Sequence, residues 1–545
     1  ELLRIDSRGA GGTAIEVDVG ATLNGLVGVL DYGFAAYSIL PDPTSPPAVS
    51  GGTPARPARA ANDDEITIAS FNVQRLFDDD SGNNIGGSPT LTTSAYQARL
   101  AKTANALCAF LGTPDIVGIV EIEGIDALTD LANAVNGNLP GTCANDPNYV
   151  AFLEEGNDVG GIDVGFLVKT APVATNLPRV SVIEVVQEGK DTLQVNPNGS
   201  TSLLNDRPPL RLNALVNDDD GDSLALTVIA NHLRSLNGIN DVGSGSNGWP
   251  TTGDRIRDKR IRQAQFVADL VQARQAADPD EMIVLLGDFN AYEFSDGLAD
   301  VMGIVTGQQA AANEVLTHLD SPVFPPLLNM TNTAPAEDRY SFVFDGSAQT
   351  LDHIVVNGAL LAATESVDVD HARINADFRG SDFGNFAVPT RVSDHDPVIA
   401  YIRPAVPSSA DLSISSLRAG MPVIFAWQDQ QFTATVRNAG PEAARRPSVL
   451  ISFDDGDADS SIQAPDGWDC GLDEAPAGWV VYLCQLDGEM GPRQTAHFTV
   501  SATWTRKLPR QFLTLNAQVF SDSDDANPAN NSRSLRLRVV GRLQR

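Results

Sequence analysis

Five short segments of the chain place an acid, an amide or a histidine directly after an apolar run. In chain order they are Ser70-Phe71-Asn72-Val73, Ile119-Val120-Glu121-Ile122, Ala230-Asn231-His232-Leu233, Gly287-Asp288-Phe289-Asn290 and Ser393-Asp394-His395-Asp396. Strand ends are where open α/β sheets present their ligands, so we expect these side chains to meet at one edge. Carboxylate and amide oxygens with two histidines suit Mg²⁺, Mn²⁺ or Ca²⁺, whereas zinc prefers histidine and cysteine at closer spacing. The pattern therefore predicts a divalent-metal site with acid–base groups.

The elements that must position these segments are six apolar runs, each of which is a predicted strand. They cover residues 66–73, 115–121, 224–231, 282–287, 351–356 and 397–402. Helical patterns occupy residues 95–111 and 255–277. Strands that alternate with helices are typical of a layered α/β domain. We therefore predict a catalytic domain over residues 65–403.

The regions on either side of this domain have a different pattern. Residues 1–50 contain short β-like runs that resemble the last strands of an OB-like barrel, so we predict a partial OB-like β segment there. Residues 51–64, rich in proline, glycine and alanine, and residues 404–409 are predicted linkers. Residues 410–545 have short strands between Gly, Asn, Asp and Pro clusters, which predict an all-β sandwich. This part resembles the immunoglobulin-like modules of bacterial surface and secreted proteins, which implies contact with a cell surface or matrix.

The overall charge limits the classes of function. Among 545 residues, 37 Lys and Arg oppose 70 Asp and Glu, for a net charge of -33. Such a chain repels a polyanion unless cations or basic groups are concentrated locally, which argues against a passive nucleic-acid coat protein. The charge argues less against a hydrolase, because divalent metals at a carboxylate cluster invert the local field.

The four cysteines form two pairs that are local in sequence, Cys108 with Cys143 and Cys470 with Cys484, without the CxxC spacing of a zinc or redox site. Two disulfides are the natural interpretation, although four cysteines allow three connectivities. Disulfides favour an exported protein, so we expect a secreted, extracellular protein, with the periplasm and the cell surface as alternatives. No uncharged apolar run reaches the roughly 20 residues of a membrane span, so stable membrane insertion is not expected.

The ordered set of five segments resembles the endonuclease/exonuclease/phosphatase superfamily, the deoxyribonuclease-I-like fold. The resemblance extends from Asn72 to His395 and implies a four-layer α/β sandwich for the catalytic domain. It also implies a metal-dependent phosphoric ester hydrolase in which water attacks the phosphorus in line with the leaving oxygen. Mg²⁺ is the favoured ion, with Mn²⁺ or Ca²⁺ as alternatives.

The resemblance assigns Glu121 and Asp394 to the metal, with Asn72 helping to orient the site. Glu123 competes with Glu121 for the metal role, and Glu121 is favoured. Many relatives have an acidic residue two positions after the first-strand asparagine, whereas this chain has Gln74. This departure favours a single metal over two.

The resemblance assigns the catalytic roles to a second group of residues. Asp288 and Asn290 would place the attacking water and the phosphate. His232 and His395 would flank the scissile phosphorus as acid–base or charge-stabilising groups, and Asp352 would fix and polarise His395. The next residue, His353, points to the opposite face of its strand and is predicted to be structural.

A secreted nuclease acting on DNA, with RNA as a less favoured substrate, is the leading hypothesis for function. Such an enzyme should expose basic side chains beside its site; the candidates are Arg207, Arg234, Arg255, Arg257, Lys259 and Arg260. Arg207, together with Asn290, is predicted to contact the substrate phosphate.

A phosphatase or phosphodiesterase acting on small or lipid phosphates is the alternative function within the same fold. A lipid hydrolase should carry an exposed aromatic hairpin, for which the sequence offers no strong candidate. A non-catalytic surface binding protein is the alternative from another class.

Overall fold

The computed structural model describes residues 3–33, 36–82, 84–85, 88–137, 143, 145–174, 177–219, 223–405, 410–421, 423–425, 428–454, 458–504 and 512–540. Contacts between Cα atoms divide the chain into two compact units, Glu1–Ala405 and Val406–Arg545. Residues 406–409 of the predicted linker 404–409 lie outside the described residues.

The first core sheet of the first unit has six strands. Their spatial order is Thr364–His371, Val398–Pro404, Ile66–Leu76, Ile116–Ile122, Asp163–Lys169 and Tyr149–Leu153. The central pair, Ile66–Leu76 and Ile116–Ile122, is parallel, and the other neighbours are antiparallel. The central strands are almost continuously buried, which explains why apolar residues lie on both of their faces.

The second core sheet also has six strands. They run in the order Val180–Gln187, Leu210–Asn217, Ser223–His232, Ile283–Asp288, Asp352–Val356 and Leu328–Asn329. Ser223–His232 and Ile283–Asp288 are parallel, and Asp352–Val356 is antiparallel to its neighbour. The long helix Thr252–Ala277 forms the crossover between the two parallel strands. A capping box at Thr251 and Asp254 fixes the start of this helix.

The two core sheets pack face to face through a shared apolar cluster, which includes Ile68, Phe166, Val228 and Leu286. The helices Thr93–Asn105 and Gly124–Asn136 cover the outer face of the first sheet. Thr252–Ala277 and the short helix Val301–Thr306 cover the outer face of the second. The result is the four-layer α/β sandwich that the resemblance implied. A second short helix, Gly358–Ala362, packs on the cluster between the sheets.

Five short strands make up the N-terminal β region. Arg4–Ile5, Ala36–Pro41 and Gly28–Gly33 form one small sheet, and Ala21–Asn24 pairs with Ala48–Gly51. Residues 51–64, predicted as a linker, lie against the catalytic layers. Arg56 bridges to the backbone of Arg373 and forms an ion pair with Asp370, and Ala58 packs on the first core sheet. Ala55 also packs against this cluster, so the segment is held to the catalytic layers by apolar as well as polar contacts.

Small hairpins complete the first unit. They pair Pro172–Ala174 with Leu177–Pro178, Leu193–Val195 with Thr201–Leu203, and Phe342–Phe344 with Ser347–Gln349.

The second unit is an all-β sandwich of two sheets around one core. The four-stranded sheet has the order Leu412–Ala419, Gln430–Asn438, Thr495–Trp504 and Ala458–Gln463. The six-stranded sheet has the order Val423–Phe425, Ser532–Val540, Phe512–Phe520, Ser448–Phe453, Val480–Leu486 and Trp468–Leu472. Alternate residues of both sheets, among them Phe432, Phe453 and Trp504, fill the space between them. The small strands Ala444–Arg445 and Glu489–Met490 also pair.

Both predicted disulfides are present, Cys108 with Cys143 in the first unit and Cys470 with Cys484 in the second. The second bond joins directly opposed residues of neighbouring strands. Within the described residues, no helix is long and apolar enough to cross a membrane.

Candidate active site

Three predicted site residues lie side by side across the second core sheet. Asp288 is the last residue of its strand, and it pairs in register with His232 on one side and Asp352 on the other. Nε2 of His232 lies 3.7 Å from Oδ2 of Asp288. All three side chains are buried. The register of the sheet therefore brings together groups from three distant parts of the sequence.

The backbone around Asp288 explains the residues on either side of it. Gly287 has a φ of 134°, and a Cβ at this position would overlap the carbonyl oxygen of Asn231. Asn290 has a φ of 51°, a left-handed conformation that asparagine tolerates better than most residues. Its backbone N–H donates to Oδ1 of Asp288 at 2.8 Å, and its side-chain amide donates to the carbonyl of Leu233 at 3.1 Å. The turn thus places the backbone N–H of Asn290 on the carboxylate of Asp288 and fixes the Asn290 side chain through the carbonyl of Leu233.

The first core sheet contributes Asn72 and Glu121 to the same place. The amide of Asn72 donates to Oε1 of Glu121 at 3.2 Å and to Oδ2 of Asp288 at 3.3 Å. Oε1 of Glu121 lies 3.8 Å from Nε2 of His232. Glu121 has a φ of 64°, where the pairing with the neighbouring strand changes register. One amide therefore links the carboxylates of the two core sheets.

His395 completes the cluster from the loop before the strand Val398–Pro404. Its Nδ1 lies 2.7 Å from Oδ2 of Asp352, and its Nε2 lies 3.9 Å from Oδ2 of Asp288. The neighbouring Asp394 is half-buried and raises the pKa of Glu121 through its charge. The site therefore draws on both core sheets and on the loop that precedes the strand Val398–Pro404.

Residues 69–395 match the endonuclease/exonuclease/phosphatase family. The chain belongs to this family. It is therefore a phosphoric ester hydrolase, and the cluster that Asn72 and His395 delimit lies within the matched residues. A search of curated proteins finds no match.

Several solved structures resemble this family member over part of its length. Truncated TDP2 from Caenorhabditis elegans is 14% identical, with a TM-score of 0.34, and the match covers 62% of this chain and 98% of that one. A family member from Bacteroides thetaiotaomicron is 15% identical, with a TM-score of 0.34 and coverage of 62% and 97%. A CARDB domain from Pyrococcus furiosus is 16% identical, with a TM-score of 0.17 and coverage of 25% and 92%.

Burial and mutual repulsion set the ionisation of the acids in this hydrolase. Burial, followed by the charge of Asp394, raises the pKa of Glu121. Burial also raises the pKa of Asp288 to about 7; His395 opposes this shift and Asp352 adds to it. A buried cluster of carboxylates is unfavourable unless a positive charge compensates it.

The two histidines have opposite shifts. Burial lowers the pKa of His232 well below its usual value, and the charges of Arg207 and His395 add to that shift. For His395, burial also favours the neutral ring, but Asp352 and Asp288 outweigh it and raise the pKa well above its usual value. At neutral pH the site therefore holds one neutral imidazole and one imidazolium.

The donor set fits a divalent cation. Ligand atoms of Glu121, His232 and Asp288 lie within 4.8 Å of one another, and so do those of Asp288, Asp352 and His395. The oxygen-rich composition matches the ligands of Mg²⁺, Mn²⁺ and Ca²⁺. A cation would also offset the charge of Asp394, which adds to the effect of burial in raising the pKa of the half-buried Glu121.

The basic residues expected to face the substrate are largely used inside the protein. Arg207 is 8% exposed and donates to the carbonyls of His232 and Leu233 at 3.2 and 2.8 Å. Its NH1 also lies 3.5 Å from Asp158. This differs from the predicted phosphate contact, because a guanidinium held by backbone carbonyls supports the strand end that carries His232. Arg207 therefore has a positioning role in this structure, and its contact with the substrate phosphate stays a prediction.

Three further basic candidates also have internal partners. Lys259 pairs with Asp206 at 2.6 Å, Arg257 pairs with Asp254 at 2.7 Å, and Arg260 is 1% exposed. The expected row of free basic side chains is therefore wrong for these residues. Periodicity along a helix could not show which charges find acidic neighbours in distant loops.

Two ambiguities in the sequence have a structural answer. Glu123 is buried and accepts the backbone N–H of Asp78 at 2.8 Å, so it supports the strand end, whereas Glu121 faces the cluster. His353 lies between the amide of Asn329 at 2.9 Å and the carbonyl of Ala291 at 2.8 Å, in a structural role.

Two features of the site escaped sequence reasoning. Asn375 accepts the backbone N–H groups of Val392 and Ser393 at 2.8 and 3.2 Å and donates to the carbonyl of His395 at 2.6 Å, so it shapes the loop that carries the histidine. No sequence motif identifies Asn375.

The hairpin formed by Phe342–Phe344 and Ser347–Gln349 presents an exposed aromatic residue, although no strong candidate for such a hairpin was expected. The alternating Phe-Val-Phe before Asp-Gly is the signal that could have found it.

Proposed function

We propose that this hydrolase is a secreted, metal-dependent nuclease that cleaves the phosphodiester bonds of nucleic acid, with DNA favoured over RNA. The observation that carries the proposal is the buried row of His232, Asp288 and Asp352, which Asn72 joins to Glu121 and Asp352 joins to His395. Together these residues provide three groups around one point: Asp288 as a base, His232 as a neutral donor and His395 as a cationic donor. In-line displacement at phosphorus requires such groups.

The roles of the residues follow from their ionisation. Asp288 accepts a proton from the attacking water as the new P–O bond forms, because its pKa of about 7 suits a base near neutral pH. The amide of Asn290, held beside Asp288, orients the water. The ester P–O bond breaks on the opposite side, and the departing alcohol takes its proton from solvent.

The two histidines stabilise the charge that develops on the phosphoryl oxygens. Asp352 holds Nδ1 of His395, which leaves its Nε2 directed at the cluster near Asp288. His232 contributes a neutral ring at 3.7 Å from the same carboxylate. Hydrogen-bond donors fixed in advance are effective because they do not reorganise during the reaction.

Glu121 and Asp394, with Asn72, are the residues that would hold a divalent cation, and Mg²⁺ suits this oxygen-rich set best. When bound, the cation would supply charge stabilisation at a phosphoryl oxygen. Gln74 provides no carboxylate for a second ion, and a single metal is therefore proposed.

Two further parts of the proposal concern location and partners. The two disulfides support secretion into an oxidising compartment. The all-β second unit supports contact with a cell surface or matrix, as in the immunoglobulin-like modules that its sequence resembles.

The test is a plasmid-nicking and RNA-degradation assay with Mg²⁺, Mn²⁺ or Ca²⁺, with and without a chelator. His395→Ala should abolish cleavage, because it removes the cationic donor. His497→Ala is the matched control, since His497 is an exposed histidine of the second unit. If no nucleic acid is cut under any metal while a small phosphodiester is hydrolysed, the nuclease proposal is wrong and the phosphodiesterase alternative stands.

A further inference from the structure

A short hairpin borders the candidate active site directly before Asp352. Phe342–Phe344 pairs antiparallel with Ser347–Gln349, and the turn residues Asp345 and Gly346 have φ values of 50° and 76°. Two positive values in a two-residue loop are characteristic of a type I′ turn, whose twist suits a tight hairpin. The hairpin is therefore a defined element rather than an irregular loop.

The aromatic side chains of this hairpin continue the ring of His395. Phe342 packs on the imidazole with 4.7 Å between ring centroids and 33° between planes. Phe344 lies two residues further along the same strand, with its centroid 6.5 Å from that of Phe342 and its plane within 10° of parallel. Phe344 is 63% exposed, whereas Phe342 is half-buried. A row of three rings, of which the two phenylalanine rings are nearly parallel, thus leads from the catalytic histidine to solvent.

The backbone on either side holds this row in place. The hydroxyl of Ser341 accepts the N–H of Asp352 at 3.1 Å, and the carbonyl of Ser341 accepts the N–H of Asp396 at 2.7 Å. At the turn, Asp345 forms an ion pair with Arg4 of the N-terminal β region. The base of the hairpin is therefore tied to the segments that carry Asp352 and His395.

We propose that Phe342 and Phe344 form a stacking platform for an unpaired nucleobase next to the scissile phosphate, which makes single-stranded nucleic acid the preferred substrate. This inference rests on the proposed nuclease function and specifies its substrate class. Every base has a π face, so stacking on exposed aromatic rings is tolerant of sequence. Bases inside a duplex are already stacked on their neighbours, and this platform discriminates against them.

An exposed aromatic hairpin also suits contact with a lipid surface, but the details favour a base. The tip of the hairpin carries Asp345 and Gly346 instead of apolar side chains, and Asp345 is paired with Arg4. The exposed ring of Phe344 neighbours Phe342, which itself contacts the ring of the catalytic histidine. A lipid contact needs no such connection to the catalytic residues, whereas a base attached to the reacting phosphate does.

The test compares wild type with Phe344→Ala on a single-stranded oligonucleotide and on its duplex. Phe344 is exposed, so the variant should fold normally, and its thermal unfolding is measured beside its kinetics. The ratio of KM for the single strand to KM for the duplex should rise about tenfold, as loss of about 1.4 kcal/mol of stacking predicts. Phe344→Trp should restore the wild-type ratio. Phe520→Ala, which removes a ring that is 42% exposed in the second unit, is the matched control.

Each outcome decides the question. An unchanged ratio in Phe344→Ala, with both oligonucleotides still cut, overturns the platform and leaves the nuclease function intact. If wild type cuts neither oligonucleotide but hydrolyses bis(4-nitrophenyl) phosphate, both proposals are wrong. If Phe344→Ala keeps the ratio but no longer binds phosphatidylcholine vesicles that wild type binds, the hairpin is a membrane contact instead.

Discussion

The ion pair between Asp352 and His395 offers a sharp test of the site. Oδ2 of Asp352 lies 2.7 Å from Nδ1 of His395, and the residues are 1% and 6% exposed. Asp352→Asn keeps the size of the side chain but removes the charge that favours the imidazolium. Neutralising one partner of a buried ion pair costs about 3–5 kcal/mol.

If most of that cost falls on the transition state, kcat/KM should fall by about 10²- to 10³-fold, since each 1.36 kcal/mol is tenfold in rate. The amide can also present its N–H to Nδ1, which would fix the wrong tautomer and lower the rate in the same direction. The assay measures kcat and KM on a plasmid and on bis(4-nitrophenyl) phosphate, beside the thermal unfolding temperature.

Asp487→Asn is the control, since it makes the same change at an exposed position of the second unit. A folded Asp352→Asn enzyme with wild-type kcat/KM on both substrates would refute the assigned role of the pair. A loss confined to KM would also contradict it, because the pair acts on the reacting phosphate rather than on remote binding.

Three further changes test other parts of the molecule. Gly287→Ala forces a Cβ onto the carbonyl of Asn231 at a φ of 134° and should destabilise the first unit by about 3 kcal/mol or more; an unchanged urea midpoint would contradict this. Chelation of the divalent cation should abolish hydrolysis, and activity that persists in chelator would exclude the metal role. Glu121→Gln should raise the metal concentration that gives the half-maximal rate about tenfold, which corresponds to a loss of roughly 1.4 kcal/mol of metal affinity. Serine at both Cys470 and Cys484, which are 14 residues apart, should lower the unfolding free energy of the second unit by about 3 kcal/mol, and tryptophan fluorescence in urea would detect it.

Strands buried on both faces were predictable from the sequence. Residues 282–287 and 224–231 were predicted as strands, and the structure has Ile283–Asp288 and Ser223–His232. Apolar runs of this kind have a clear signal because each face of each strand meets a packed layer. The polar residues that follow them were predicted to meet for the same reason, and Asn72, Glu121, His232 and Asp288 do so.

Edge strands and side-chain partners were not predictable in this way. Val180–Gln187 and Thr364–His371 lie at sheet edges, and their residues are buried to mixed degrees. Their sequences therefore show neither a continuous apolar run nor a regular alternation of apolar and polar residues. The roles of Arg207 and Asn375 depend on carbonyl and amide groups that only the folded register brings near them. The spacing of residues in the sequence does not show such long-range partners, so the roles of these two residues could not be predicted from it.

The site combines two left-handed non-glycine residues with a buried acid. Glu121 and Asn290 have left-handed backbones, which cost of order 1–3 kcal/mol each, and Asp288 is a buried carboxylate whose pKa rises to about 7. None of these features improves packing, and each lowers the stability of the unit that contains it. A sequence selected for folding alone would place glycine at the strained positions and apolar residues at the buried one. Left-handed residues also occur elsewhere in the chain, but at this point two of them accompany a buried carboxylate with a raised pKa. That coincidence is an argument, independent of any family resemblance, that this point is where the chemistry occurs.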